Sequence, residues 1–142
     1  MARTPAKVPI GPLVLDSSCW LEVFSATDRA KLYQPAAAEP SLLIVPVVTL
    51  YEVYKTLRRI RDTSIASRAA AYMQQGEVVE LDAALCLSAA DNGLPFADSL
   101  IYATALARGA ALWTQDAHFD GLPGVNYFPE PWCSPSPPSR PT

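Results

Sequence analysis

Short apolar runs alternate with helical repeats along this chain. LVLD at 13–16 is an apolar run that ends on a carboxylate, and SSCWLEVF behind it offers Ser17 or Ser18 as a helix N-cap. SLLIVPVV at 41–48 is rich in β-branched residues and apolar at both alternating sets of positions. That is the pattern of a strand covered on both faces, with Pro46 at its end. In TLYEVYKTLRRI the residues Leu50, Val53, Tyr54, Leu57 and Ile60 recur at helical spacing, and Thr49 and Glu52 have capping-box spacing. A helix from about 49 to 61 is predicted. SIASRAAAYMQQ predicts another helix closed by Gly76, followed by a short strand VVEL at 78–81. Asp82 can cap AALCLSAADN, which Gly93 terminates. PFADSLIYATALARG predicts a helix that starts near Ala97 and stops at Gly109, with ALWT at 111–114 and VNYF at 125–128 as the last strands. Such alternation predicts an α/β fold with a mostly parallel sheet and helices on both faces. Chemistry in such sheets lies outside the carboxyl ends of the strands.

Four carboxylates fall at that edge. Asp16 ends the first strand, Glu52 opens the helix after the second, Asp98 opens a late helix and Asp116 stands two residues past ALWT. Each has an ordinary structural reading: a cap for Asp16, a complete capping box with Thr49 for Glu52, the helix dipole for Asp98 and a turn for Asp116. Their coincidence at one edge argues for a shared role. Gathered carboxylates repel one another unless a divalent cation neutralises them, and hard oxygen donors suit Mg²⁺ or Mn²⁺. Such a cation acidifies water and screens phosphate charge, which points to phosphodiester hydrolysis. An Asp-x-Asp phosphatase is disfavoured because Ser18 occupies the second acidic position, and there is no Gly-rich phosphate loop.

Composition narrows the alternatives. A length of 142 residues, 50% hydrophobic and 18% charged, suits one domain with a core. The formal net charge of -3 supplies no global field to attract nucleic acid or anionic lipid, so any such contact must be local. Lys55, Arg58, Arg59, Arg61 and Arg68, against Asp62 alone, form the basic concentration available to an RNA backbone. Cys19, Cys86 and Cys133 match neither a disulfide scaffold nor a zinc knuckle, which suggests a reducing compartment. His118 is the sole histidine, which excludes a histidine-built metal site. Trp20, Tyr51, Tyr54, Tyr72 and Tyr102 fall within predicted helices and read as core or dimer-interface residues rather than base-stacking platforms, whereas Trp132 reads as exposed. With no signal peptide or membrane span in the pattern, a soluble, cytoplasmic protein is expected. Proline crowding divides the chain into a flexible extension over 1–11, a domain over 12–129 and a Pro-rich, disordered tail over 130–142.

The series LVLDSSCW, TLYEVYK, PFADSLIYATA and LWTQDAHF, in that order across residues 13–119, resembles PIN-domain nucleases, and among them the VapC-type toxins of bacterial toxin–antitoxin pairs. The resemblance implies a PIN-like three-layer α/β/α fold with sheet order 3-2-1-4-5. It also implies Mg²⁺-dependent endoribonuclease activity leaving a 5′-phosphate and a 3′-hydroxyl, a cognate antitoxin that blocks the site, and a homodimer. Carried over, Asp16 and Asp98 would be the principal metal ligands, with Glu52 and Asp116 completing the cluster. Thr114 would brace it by hydrogen bonds, and Ser17 would support Asp16. Lys55, Arg58, Arg59 and Arg61 would meet RNA or antitoxin. His118 departs from the pattern, standing where many members have another acid, so that either a fifth ligand is missing or the imidazole takes a substrate or second-shell role. Other readings are a PIN nuclease of RNA processing without an antitoxin and an inactive partner-binding domain, against which the intact carboxylates count.

Overall fold

Each predicted apolar run forms a strand in the computed structural model, which describes residues 11–129. The strands are β1 (Leu13–Leu15), β2 (Leu43–Pro46), β3 (Glu77–Val79), β4 (Ala111–Thr114) and β5 (Val125–Tyr127). They lie in the order β3-β2-β1-β4-β5, and every pairing is parallel. Between them run α1 (Ser17–Phe24), α2 (Ala30–Ala37), α3 (Val47–Ile60), α4 (Thr63–Met73), α5 (Ala83–Ala89) and α6 (Phe96–Ala107). The expectations for residues 1–10 and for the tail from 130, with Trp132 and Cys133, lie outside the described residues.

The pleat sorts the central strands between two layers. Leu13 and Leu15, with Leu43, Val45 and Trp113, face a core built from α1 to α4, while Val14, Ile44 and Leu112 face α6 and Phe119. On that second side α5 packs on α6 through Leu85, Ala89, Leu100 and Ala103. Burying a Val or Leu side chain is worth about 1.5–3 kcal/mol, so the fully enclosed Val14, Leu15 and Leu112 clamp the sheet between its layers. The layering and strand order match the expectation, and the sheet is wholly parallel among the described residues.

Local chemistry sets the helix starts. Asp62 and Asp82 cap α4 and α5, each accepting the backbone N–H of the residue three positions on, Ile65 and Leu85, at 2.8 Å. Gly109, with φ of +60°, closes α6 in the left-handed conformation that glycine tolerates. Gly76 is required by crowding: a Cβ there would sit 2.8 Å from the Leu43 carbonyl oxygen and 2.9 Å from that of Pro40.

One expectation needs correction, and one element goes beyond the pattern. The Thr49–Glu52 capping box is absent, because Pro46 presets the backbone for a helix that begins at Val47. Thr49 then lies inside the first turn, with its hydroxyl buried and without a partner. α2 occupies a stretch for which the pattern predicts no element. Its internal Pro35 reads as a breaker, yet Tyr33, Ala36 and Ala37 bury enough apolar surface to hold one helical face. Of the aromatics read as core or dimer-interface residues, Trp20 and Tyr102 are buried and Tyr54 and Tyr72 half-buried, while Tyr51 is 60% exposed and so fits the interface alternative rather than the core. Among the described residues no helix is long and apolar enough to cross a membrane.

Candidate functional site

Successive connections leave β1 and β4 toward opposite edges of the sheet, so the strand order reverses between these neighbours. A crevice opens at the carboxyl ends of two such strands, because no connection crosses it there. Asp16 follows β1 directly, and Asp116 follows β4 after one intervening residue. Glu52 comes from α3, which continues β2, and Asp98 stands in the first turn of α6.

Asp16 is only 4% exposed. Its Oδ2 accepts hydrogen bonds from Ser18 Oγ and Thr114 Oγ1, both at 2.9 Å. Thr114 Oγ1 also accepts the Asp116 backbone N–H at 2.9 Å, so one hydroxyl couples the two strand ends. Ser17 serves Glu52 rather than Asp16, donating from Oγ to Oε1 at 2.9 Å. His118 reaches across the crevice with Nδ1 2.9 Å from Asp98 Oδ2 and 3.2 Å from Asp116 Oδ1. Asp116 keeps its turn-forming role as well, accepting the His118 backbone N–H at 2.9 Å.

The electrostatics record the crowding. Burial raises the Asp16 carboxyl above its ordinary range despite the hydrogen bonds from Ser18 and Thr114. Glu52 is raised first by burial, against the Ser17 hydrogen bond, and further by the charges of Asp16, Asp98 and Asp116. Asp98 is raised by burial and by Asp116, with His118 opposing. His118 is itself raised, first by its hydrogen bond to Asp98 and then by the charge of Asp116. Asp16, Glu52 and Asp98 thus share surroundings that disfavour their ionised forms, burial first in each case.

This donor set fits a divalent cation. Asp98, Asp116 and His118 each offer a ligand atom, and these atoms lie within 4.8 Å of one another. Asp16 and Glu52 add the surrounding negative charge. Carboxylate oxygens favour Mg²⁺ or Mn²⁺, and an imidazole nitrogen is compatible with the latter.

Beside Glu52 lies a groove of about 390 Å³, lined by Ser17, Tyr51, Glu52, Lys55 and Arg59 among others. Lys55 Nζ stands 5.4 Å from the centre of the Tyr51 ring. Two of the expected basic residues therefore join the acidic edge, while Arg58 and Arg61 are exposed but do not line the groove. The sequence pattern offered Ser18 only as a helix cap and gave no role to Gln115. Ser18 in fact donates to Asp16 and accepts the Gln115 backbone N–H at 3.3 Å. Its position two residues after a strand-ending Asp is the one signal that pointed to it.

The sequence matches no curated protein. Among solved structures the chain is similar to a toxin–antitoxin complex from Klebsiella pneumoniae, with 20% identity, a TM-score of 0.67, and coverage of 80% of this chain and 95% of that one. It is also similar to VapC20 of Mycobacterium tuberculosis, a sarcin–ricin loop cleaving toxin, with 19% identity, a TM-score of 0.67, and coverage of 80% and 96%. A DNA-bound VapBC from Salmonella typhimurium gives 14% identity and a TM-score of 0.64, with coverage of 84% and 98%. At these identities the likeness is one of fold. The family model of the PIN domain matches residues 13–125, from the first strand to the last. The chain belongs to the PIN domain family.

Proposed function

We propose that this protein is a Mg²⁺- or Mn²⁺-dependent endoribonuclease that acts as the toxin of a toxin–antitoxin pair. The observation that carries the reading is the gathering of Asp16, Glu52, Asp98 and Asp116 where the sheet order reverses, at an electrostatic cost that a cation would offset. Bound there, the cation would acidify water and screen the charge of a phosphodiester. Asp98 and Asp116 would hold it directly, and Asp16 would complete its charge balance from a fixed rotamer. Glu52, steadied by Ser17, would orient the attacking water and accept its proton. Lys55 and Arg59 would guide the RNA backbone along the adjoining groove. The toxin reading is supported by the structural neighbours, which include toxin–antitoxin complexes. On that reading the protein works as a homodimer, and an antitoxin side chain occupies the acidic crevice in place of the cation.

The test is cleavage of RNA by purified protein with Mg²⁺ or Mn²⁺ and with EDTA, alongside growth of cells expressing the protein with and without the product of a neighbouring small gene. Metal-dependent cleavage and growth arrest relieved by that product are expected. Cleavage that persists in EDTA overturns the metal assignment, and cleavage without growth arrest favours an RNA-processing enzyme.

A further inference from the structure

We infer that Gln115, held by Arg29, Tyr33 and Glu22, is a positioning residue that keeps Asp116 inside the metal-binding cluster. This inference rests on the metal-site reading above and deepens it. Gln115 is the single residue between Thr114, which bonds Asp16, and Asp116 itself. β4 ends at Thr114, whose carbonyl still accepts the Phe128 N–H at 2.8 Å, so Gln115 and Asp116 stand just past that bond, where the chain leaves the sheet. Across the crevice Asp116 meets Asp98 through His118, whose Nδ1 lies 3.2 Å from Asp116 Oδ1 and 2.9 Å from Asp98 Oδ2, so the position of this corner sets the spacing of the three ligand atoms.

The Gln115 amide ties this corner to the rest of the domain. Its Oε1 accepts from Tyr33 Oη at 2.8 Å and from Arg29 Nε, while its Nε2 donates to Glu22 Oε2 at 3.0 Å. Arg29 is fixed in turn: one guanidinium nitrogen donates to the Phe128 carbonyl at 2.9 Å and to Tyr33 Oη at 3.3 Å. The network therefore joins α1, the start of α2 and the end of β5 to the corner that carries Asp116. Its members also determine which residue can stand at 115. The site presents a cation on one side and an anion on the other, and a neutral amide can accept from Arg29 while donating to Glu22. A glutamate would face Glu22, and a lysine would face Arg29. With its backbone N–H bonded to Ser18, Gln115 is anchored through both main chain and side chain. Partners behind metal ligands act by such orientation, and their loss lowers metal affinity by roughly 10–100-fold.

The test measures Mn²⁺ affinity of the full chain by the electron paramagnetic resonance of free Mn²⁺, with RNA cleavage recorded as a function of Mn²⁺ concentration. Gln115→Met, close in shape but without the amide, should raise the Mn²⁺ Kd by roughly 10-fold and regain most of its cleavage rate at saturating Mn²⁺. Arg29→Lys, which keeps the charge but loses the guanidinium geometry, should weaken binding in the same direction. The double variant should be little worse than either single one, because both break one network. Met73→Val, a destabilising change at a fully buried side chain that makes none of these hydrogen bonds, separates positioning from general loss of stability and should leave the Kd unchanged. A wild-type Kd in both Gln115→Met and Arg29→Lys overturns the inference, as does an equal loss in Met73→Val. Wild-type protein that binds no Mn²⁺ overturns the metal-site reading itself, and the inference with it.

Discussion

Asp62, Asp82 and Asp16 stand at the starts of α4, α5 and α1, and all occupy the N-cap position. On the outer helices Asp62 and Asp82 are exposed, and each side chain satisfies a backbone N–H of its own helix. Asp16 makes no such capping bond. It is buried, turns to Ser18 and Thr114, and shares its surroundings with Glu52, Asp98 and Asp116. The outer acids stabilise the fold by the ordinary energetics of helix ends, worth about 1 kcal/mol each. Asp16, Glu52 and Asp98 at the sheet edge are held in a place that raises their carboxyl groups and opposes ionisation. Identical chemistry in equivalent helical positions thus serves two ends, and the electrostatic cost separates them. On the proposed function, that cost is kept because these acids hold a cation.

Exchanging charge for a neutral amide tests that division most severely. Asp16→Asn and Asp98→Asn should each abolish metal-dependent RNA cleavage in gel assays, because an amide cannot hold the cation against water. Asp82→Asn should cleave at the wild-type rate and keep its melting temperature, since asparagine caps as well as aspartate. A smaller loss is expected at Glu52. Glu52→Gln keeps an oxygen for the Ser17 hydroxyl and should retain wild-type thermal stability, while cleavage falls by roughly 100-fold as expected for loss of a general base. If it cleaves at the wild-type rate, Glu52 lies outside the site and the cluster reduces to three aspartates.

The metal-free protein should show the opposite balance in stability. Burial and Asp116 raise the Asp98 carboxyl in the folded chain, so folding favours its protonated form. Its stabilising contribution is complete below the ordinary carboxylate range and is lost as pH rises through the raised value. His118, raised by Asp98, adds a contribution of the same sign that fades as pH rises through its own raised value. In EDTA the melting temperature of Asp98→Asn, measured against wild type, should therefore climb by a few degrees as pH increases. Mn²⁺ should then raise the wild type alone. A difference that stays flat with pH would show that the cluster carries no such strain. The smallest effect is expected at Thr49, whose buried hydroxyl lacks a partner. Thr49→Val should cause no loss in urea unfolding and a gain of at most about 1 kcal/mol, whereas a true capping box would lose a comparable amount.

The sheet was legible in the sequence because β1, β2 and β4 are covered on both faces, which writes nearly continuous apolar runs such as LVL and ALWT. The caps at Asp82 and Gly109 were legible because they act within one turn of backbone. α2 was hidden, since its stability comes from Tyr33 and its neighbours packing on distant strands rather than from local propensity. The supposed capping box failed for the same reason in reverse. Its spacing was right, but Pro46 moved the start of the helix and Ser17, 35 residues earlier, took the glutamate. The acids that gather at the crevice were all named from their places at strand and helix ends. Gln115 was not, because its three side-chain partners come from residues 22, 29 and 33, and no spacing within one element encodes that meeting.

Calorimetric titration of Mn²⁺ into metal-stripped wild type, Asp98→Asn and Asp82→Asn tests most directly whether the two sets of acids differ in purpose. Saturable binding by wild type and Asp82→Asn, with none by Asp98→Asn, is the expected result. Equal binding by all three, or by none, would contradict the account.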